Sequence, residues 1–225
     1  MSLGKGSVTS VSISVGIAVG IYGISFGALS VTAGFDVWQT IALSSLMFSG
    51  GSQFAFVAVF ASGGIAALPA AITSAWLVGI RNGFYALTLA PKLGANGVRR
   101  LLAAQLTIDE STAVSTSQES DSDQRKGFWY TGIAVFFFWN LATIVGALLG
   151  SIFSDPKVFG LDAAAAAALF ALVWPRIQKS TGAAIAAVAI LAGTLLSTAL
   201  PTGFPVLLGA AIAVSVGFLL ERDVK

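Results

Sequence analysis

Polar side chains inside apolar stretches are the residues of this sequence whose types could do chemistry. Arg81 and Asn82 lie near the middle of an apolar stretch at residues 65–90. An arginine at the centre of a bilayer costs about 2.5–3.5 kcal/mol on insertion scales, and such residues face protein, water-filled cavities or ligands. The position therefore predicts a transport pathway in which Arg81 binds an anion such as a carboxylate.

Two adjacent acids, Asp109 and Glu110, lie in the segment 98–117, which is too polar to be surrounded by lipid. The spacing of Thr107 and Glu110 is that of a capping box, so these residues could simply begin a helix. Alternatively, the helix dips into the membrane, where one acid binds a substrate ammonium group or carries a proton. The sequence leaves both interpretations open.

Two adjacent glycines, Gly50 and Gly51, fall in the middle of the apolar stretch 38–62. They predict a broken helix beside a cavity, because lipid offers no replacement for lost backbone hydrogen bonds. The free N–H groups and positive end of such a helix suit a carboxylate. A continuous helix whose glycines accommodate a neighbouring helix is the alternative.

Depth in the membrane links three of the polar residues. We counted about 1.5 Å per residue from the midpoint of each expected span, which places Gln53, Arg81 and Asn140 within about 10 Å of one another in depth. A layer of that thickness could hold an amino acid. The full set of candidate substrate-binding residues is Arg81, Gln53, Gly50, Gly51, Ser52, Asn82 and Asn140.

Three further residues are candidates for lining the pathway. Gly23 and Gly27 share one face of the first expected helix with Gly16 and Gly20. Small residues on one face let another helix approach closely, so this face predicts helix packing, with a wall beside the substrate as the functional alternative. Asp162 predicts either the N-terminal cap of a short helix or a lining residue.

Composition limits the class of protein. Of the 225 residues, 56% are hydrophobic and 10% are charged, against about 25% charged in a soluble domain. The chain has no Cys and no His, so disulfides, thiolate nucleophiles and the commonest metal ligands are absent. We therefore expect no metal, no cofactor and no enzymatic activity. No basic stripe predicts a nucleic-acid partner.

The apolar stretches predict an all-α polytopic membrane protein with one transmembrane domain, residues 1–225. Its seven expected spans are 9–33, 38–62, 65–90, 127–152, 161–174, 180–200 and 203–220. The fifth is short, since a span needs about 20 residues. If 98–117 is re-entrant or interfacial, the distribution of Lys and Arg predicts an N-terminus outside the cell and a C-terminus in the cytoplasm.

The order of several motifs resembles the AzlC family, the large subunits of bacterial branched-chain amino acid exporters. The motifs are MFSGGSQF at 47–54, IRNGFY at 80–85, DE at 109–110, FWN at 138–140 and GLD at 160–162. The resemblance covers about residues 12–220. The family commonly has a histidine where this chain has Asn82, so a titrating role does not carry over to that position.

The resemblance implies a secondary active exporter in the bacterial inner membrane. It implies export of valine, leucine, isoleucine and similar hydrophobic amino acids, coupled to the proton motive force. It also implies a small membrane partner of the AzlD type. Two other classes fit the residues: a passive channel for a small solute, and a non-transporting assembly subunit in which Arg81 forms a salt bridge between helices, for example with Asp109.

Overall fold

A computed structural model describes residues 7–152, 170, 174, 177–178, 180–200 and 204–222. Within these ranges the regular structure is helical and contains no strand. The helices are α1 (Val8–Gly20), α2 (Tyr22–Thr32), α3 (Val37–Leu46), α4 (Gly51–Gly63), α5 (Leu68–Leu93), α6 (Val98–Gln105), α7 (Asp109–Thr116), α8 (Asp121–Ile152), α9 (Ser180–Ser197) and α10 (Phe204–Arg222).

Four helical stretches are long and apolar enough to cross a membrane, so the chain is a multi-pass membrane protein. They are Val8–Thr32, Gly51–Leu93, Asp121–Ile152 and Ser180–Ser197. The second contains α4, a short 3-10 turn at Gly64–Ala67, and α5. The described helices thus provide four such stretches where seven spans were expected. The expected span 161–174 and Asp162 lie outside the residues that the structure describes.

The first span and α8 run parallel and in close contact. Thr131 donates a hydrogen bond to Ser12 (2.9 Å) near the beginning of both, and a Cβ built on Gly150 would lie 3.1 Å from the Cα of Ala28 near their ends. A Cβ built on Gly20 would lie only 2.5 Å from the Cβ of Phe138. The glycine face of the first span is therefore a packing face.

The stretch 38–62 does not continue as one helix but folds back at residues 47–50. The amide of Gln53 donates to the backbone oxygen of Leu43 (3.1 Å), two residues that a continuous helix would separate by about 15 Å. Further from the turn, the rings of Phe35 and Phe60 have centroids 4.5 Å apart. The predicted break near Gly50 is observed, but α4 returns toward the beginning of α3.

After the 3-10 turn, α5 runs antiparallel to α4. A Cβ built on Gly79 would lie 3.1 Å from the Oγ of Ser52, and a Cβ built on Gly51 would lie 3.2 Å from Arg81 Nη2. The end of α5 reaches the beginning of α8, where Arg125 Nε donates to the oxygen of Lys92 (2.8 Å). Arg81, halfway along α5, therefore lies near the middle of the layer that these packed helices form.

The segment 98–117 forms two short helices that approach the same depth from the opposite end. Helix α7 runs antiparallel to the first half of α8, since a Cβ on Gly127 would lie 3.2 Å from the oxygen of Val114 and a Cβ on Gly132 would lie 2.9 Å from the Cβ of Leu106. The turn between α6 and α7 therefore lies deep in the layer. The pairs α3–α4 and α6–α7 enter from opposite ends, an inverted arrangement.

The contact between the first span and α8 shows at which end of the layer of helices α1 begins. The seven expected spans count 38–62 as a crossing, whereas α3 and α4 fold back. The contact between Ser12 and Thr131 places the beginning of α1 at the same end as the beginning of α8. Arg125, near the beginning of α8, therefore lies toward that same end.

Candidate substrate site

A cavity of about 200 Å³ lies where the turns of the two folded-back pairs meet the middle of α8. Its charged and polar lining consists of Arg81, Asp109, Glu110 and Ser49, with the backbone of Gly50 and Gly51. Its apolar lining consists of Val19, Tyr22, Phe48, Phe54, Ile108, Val135 and Trp139. The cavity is thus charged on one side and apolar on the other.

An ion pair between α5 and α7 lies in the wall of this cavity. Arg81 Nη2 and Asp109 Oδ2 are 2.9 Å apart, and the side chains are 31% and 41% exposed. Each partner keeps unused hydrogen-bonding capacity, because Arg81 Nε and Asp109 Oδ1 are buried without a partner among the described residues. The pair is therefore not saturated by the residues that the structure describes.

The beginning of α4 lies directly beside Arg81. Gly50 has a φ of 55°, a left-handed conformation that glycine adopts without the steric penalty of a Cβ. A Cβ on Gly51 would lie 3.2 Å from Arg81 Nη2 and 3.3 Å from Val78 Cγ1. The first N–H groups of a helix have no partner within it and carry partial positive charge. The guanidinium and this helix end together favour an anion.

The side-chain amides of two glutamines stabilise the break between α3 and α4. Gln53 Nε2 donates to the backbone oxygens of Leu43 and Ser44, each at 3.1 Å, and Gln105 Nε2 donates to that of Ser45 at 2.7 Å. Ser44 and Ser45 are among the residues whose carbonyls the end of α3 leaves without helical partners, whereas the oxygen of Leu43 also accepts from the N–H of Met47 at 3.1 Å. Gln53 is 1% exposed and does not line the cavity, so the structure places its amide nitrogen at the end of α3.

Three other predicted ligands also lie away from the cavity. Ser52 and Asn82 line a second, broader cavity of about 580 Å³, which shares Phe48 and Ser49 with the first, and Asn82 Nδ2 donates to Ser49 Oγ at 3.3 Å. Asn140 accepts from Ser45 Oγ at 3.0 Å and donates to the oxygen of Phe136 at 2.8 Å, so it links α8 to α3.

The two predicted lining glycines are packing residues. A Cβ on Gly23 would lie 2.5 Å from the backbone oxygen of Trp139, and one on Gly27 would overlap the backbone oxygen of Thr143. Neither lines the cavity. Of the predicted site residues, the structure brings together Gly50, Gly51, Arg81, Asp109 and Glu110.

Aromatic residues form much of the apolar wall. Phe48 and Phe54 line the cavity, whereas Phe84, close to Arg81 in sequence, is 64% exposed. Trp139 was missed as a lining residue, although it stands between two residues of the FWN motif. Trp139 precedes Asn140 in the sequence and therefore lies at almost the same depth. Only side chains such as amides and guanidinium groups are compared by depth, so the tryptophan is not included.

The described residues contain no group of three or more Asp, Glu, His or Cys side chains that could hold a metal ion. A protein-family model described as AzlC protein matches residues 14–153, which is more than half of the chain. No curated protein sequence and no solved structure matches this chain.

Proposed function

Because the chain belongs to the AzlC family, which is associated with transport, we propose that it is a membrane subunit that exports branched-chain and similar hydrophobic amino acids. The observation that carries this proposal is the unsaturated Arg81–Asp109 ion pair in the wall of a small, otherwise largely apolar cavity. An aliphatic amino acid has groups that match this lining: a carboxylate for Arg81, an ammonium for Asp109 and an apolar side chain for the apolar wall.

The ion pair offers a way to bind a zwitterion without leaving a charge unpaired. The substrate carboxylate would bind Arg81 and the beginning of α4, and the substrate ammonium would bind Asp109. Breaking a buried charge pair is costly because it leaves an uncompensated charge. A zwitterion supplies both missing charges at once, so Arg81 and Asp109 can separate while each remains neutralised.

The apolar wall would select the side chain. The rings of Phe48, Phe54 and Trp139, with Val135 and Ile108, supply most of the apolar lining of the cavity. An apolar cavity of roughly 150 Å³ holds a benzene molecule, so about 200 Å³ is of the size of a small aliphatic amino acid. A polar side chain would lose its water here without gaining a partner.

Coupling to the proton motive force would use the acids of α7. The chain has no His and no Cys, so carboxyl groups are the candidates for carrying a proton. Asp109 and Glu110 are neighbours in the cavity wall. A proton delivered to Asp109 would remove the charge that holds the substrate ammonium and would favour release.

The opposed folded-back pairs would supply alternating access. Many transporters bind substrate where broken helices of two inverted halves meet. Here Gln105 of α6 and Ser45 of α3 are joined by a 2.7 Å hydrogen bond, which is a direct link between the two pairs. Separating the pairs on one side or the other of the cavity would open it to one face of the membrane.

The cellular setting follows from the same proposal. The positive-inside rule would place the end that carries Arg99, Arg100, Arg125 and Lys126 in the cytoplasm. The beginning of α1 would lie there too, in the inner membrane of a bacterium. We further propose that a small AzlD-like membrane subunit completes the transporter and that the C-terminus is cytoplasmic.

One observation also fits a second function. The Arg81–Asp109 ion pair ties α5 to α7, which is what a non-transporting assembly subunit would require. Its unpartnered Arg81 Nε and Asp109 Oδ1 favour a ligand site, because a purely structural pair would be expected to satisfy these atoms.

Efflux from cells preloaded with labelled valine, leucine or isoleucine tests the proposal. The chain is expressed with and without an AzlD-like partner, and a protonophore is added during efflux. We expect partner-dependent efflux that stops with the protonophore. Efflux that persists would indicate a passive channel. No efflux from an assembled complex, for any of the three substrates, would contradict the proposal.

A further inference from the structure

Trp139 has a rigid setting in the cavity wall. Its side chain is almost completely buried, and the residue is 4% exposed. The ring stacks on Phe26, with centroids 6.1 Å apart, and meets Phe54 edge-on, with centroids 6.2 Å apart. Two aromatic neighbours thus hold the indole in one position at the middle of α8.

The indole N–H of Trp139 has no hydrogen-bond partner among the residues that the structure describes. This nitrogen is a donor only, and buried tryptophans usually find an acceptor for it. Phe26 and Phe54 offer none. Trp139 also lines the cavity, so a bound molecule is one source of the missing acceptor.

The ring lies on the side of the cavity where an anion would bind. A Cβ built on Gly50 would lie 3.9 Å from Cη2 of Trp139, and a Cβ built on the next residue, Gly51, would lie 3.2 Å from Arg81 Nη2. Trp139 and Arg81 therefore flank the beginning of α4. A carboxylate at that helix end would lie beside the guanidinium of Arg81 and the Cη2 edge of the Trp139 ring.

We propose that Trp139 is a substrate-binding residue whose indole N–H donates a hydrogen bond to the carboxylate of the transported amino acid. This rests on the proposed function and adds a determinant of specificity to it. The indole N–H is uncharged, so it binds the carboxylate without competing with the substrate ammonium for Asp109. It therefore favours substrates with an α-carboxylate over amines of the same shape.

Removing the N–H while keeping the shape of the ring tests this directly. Trp139 is replaced by Phe and, in a second protein, by benzothienylalanine, which has sulfur in place of the N–H. The control is Trp38→Phe, because Trp38 is 79% exposed and lines neither cavity. Binding of valine and of isobutylamine, which lacks the carboxylate, is measured by titration of the full chain assembled with its AzlD-like partner in lipid nanodiscs.

We expect both replacements of Trp139 to weaken valine binding by roughly tenfold, the size of one hydrogen bond to a charged group. Neither replacement is expected to change the binding of isobutylamine. The control Trp38→Phe is expected to change the binding of neither ligand. Valine binding equal to wild type in the benzothienylalanine protein would overturn the role of the N–H, and so would equal weakening of both ligands. If wild type binds no hydrophobic amino acid, the proposed function fails together with this inference.

Discussion

Glycine serves opposite purposes in two regions of this molecule. Between the first span and α8, it removes side chains so that two backbones touch, and almost no space remains. At the turn between α3 and α4, Gly50 and Gly51 interrupt a helix and leave a cavity beside Arg81. The first region is closely packed and its buried hydroxyls Ser12 and Thr131 are hydrogen-bonded, whereas the second contains polar atoms without partners among the described residues. The comparison separates a rigid scaffold from a site that is incomplete without a ligand.

The largest effect is expected from filling the scaffold. In Gly146→Val, the new Cβ would overlap the backbone oxygen of Ile24, and neither backbone can move without shifting a whole helix. Overpacking usually costs about 1–3 kcal/mol, and contact with backbone should exceed that range. We expect loss of folded protein, measured by thermal unfolding in detergent. Gly193→Val, where nothing lies within 4 Å, is the matched control; equal stability of the two variants would contradict the packing role.

The second prediction separates a ligand site from a structural tie. Arg81→Ala leaves the charge of Asp109 unpaired, so we expect both lower stability and loss of valine efflux. The double variant Arg81→Ala, Asp109→Ala removes both charges, which should restore stability toward wild type because no unpaired charge remains. Efflux should stay at least about 100-fold reduced, since two charged contacts worth about 1.5–3 kcal/mol each are missing. Recovery of efflux in the double variant would show that the pair is only a tie.

A smaller change at the site should affect binding without affecting the scaffold. In Gly51→Ala, the methyl group would lie 3.2 Å from Arg81 Nη2 and would move the guanidinium away from the beginning of α4. We expect valine to bind about tenfold more weakly, with thermal stability close to that of Gly193→Ala. A stability loss as large as that of Gly146→Val would mean that Gly51 belongs to the packed scaffold.

The smallest effect is expected at the link between the two folded-back pairs. Gln105→Ala removes the 2.7 Å hydrogen bond to Ser45, which is worth about 0.5–1.5 kcal/mol. We expect a correspondingly small drop in unfolding stability together with a changed efflux rate, because the link must break when the pairs separate. Gln118→Ala, which removes amide contacts at the exposed end of α7, is the control; an identical efflux rate in both variants would argue against the link.

Hydropathy and depth located the centre of the site but not the path of the chain. The cost of an arginine in lipid singled out Arg81, and the adjacent glycines predicted the break at Gly50. Both inferences depend on local properties that any fold must respect. The folding back of α4 was not predicted, because an apolar stretch of 25 residues has the same hydropathy whether it crosses the membrane or returns. As a result, α3 and α4 form a folded-back pair where one crossing was expected.

The sequence by itself therefore determined that this is an all-helical membrane protein of the AzlC family with a charged group at mid-depth. The length of each apolar stretch and the position of a charge within it can be read directly along the chain. Only the tertiary structure decided which polar residues meet. It paired Arg81 with Asp109, assigned Gln53 to the end of α3 and placed Trp139 in the cavity wall. Depth is a property of each helix alone, whereas direction around the helix axis depends on its neighbours.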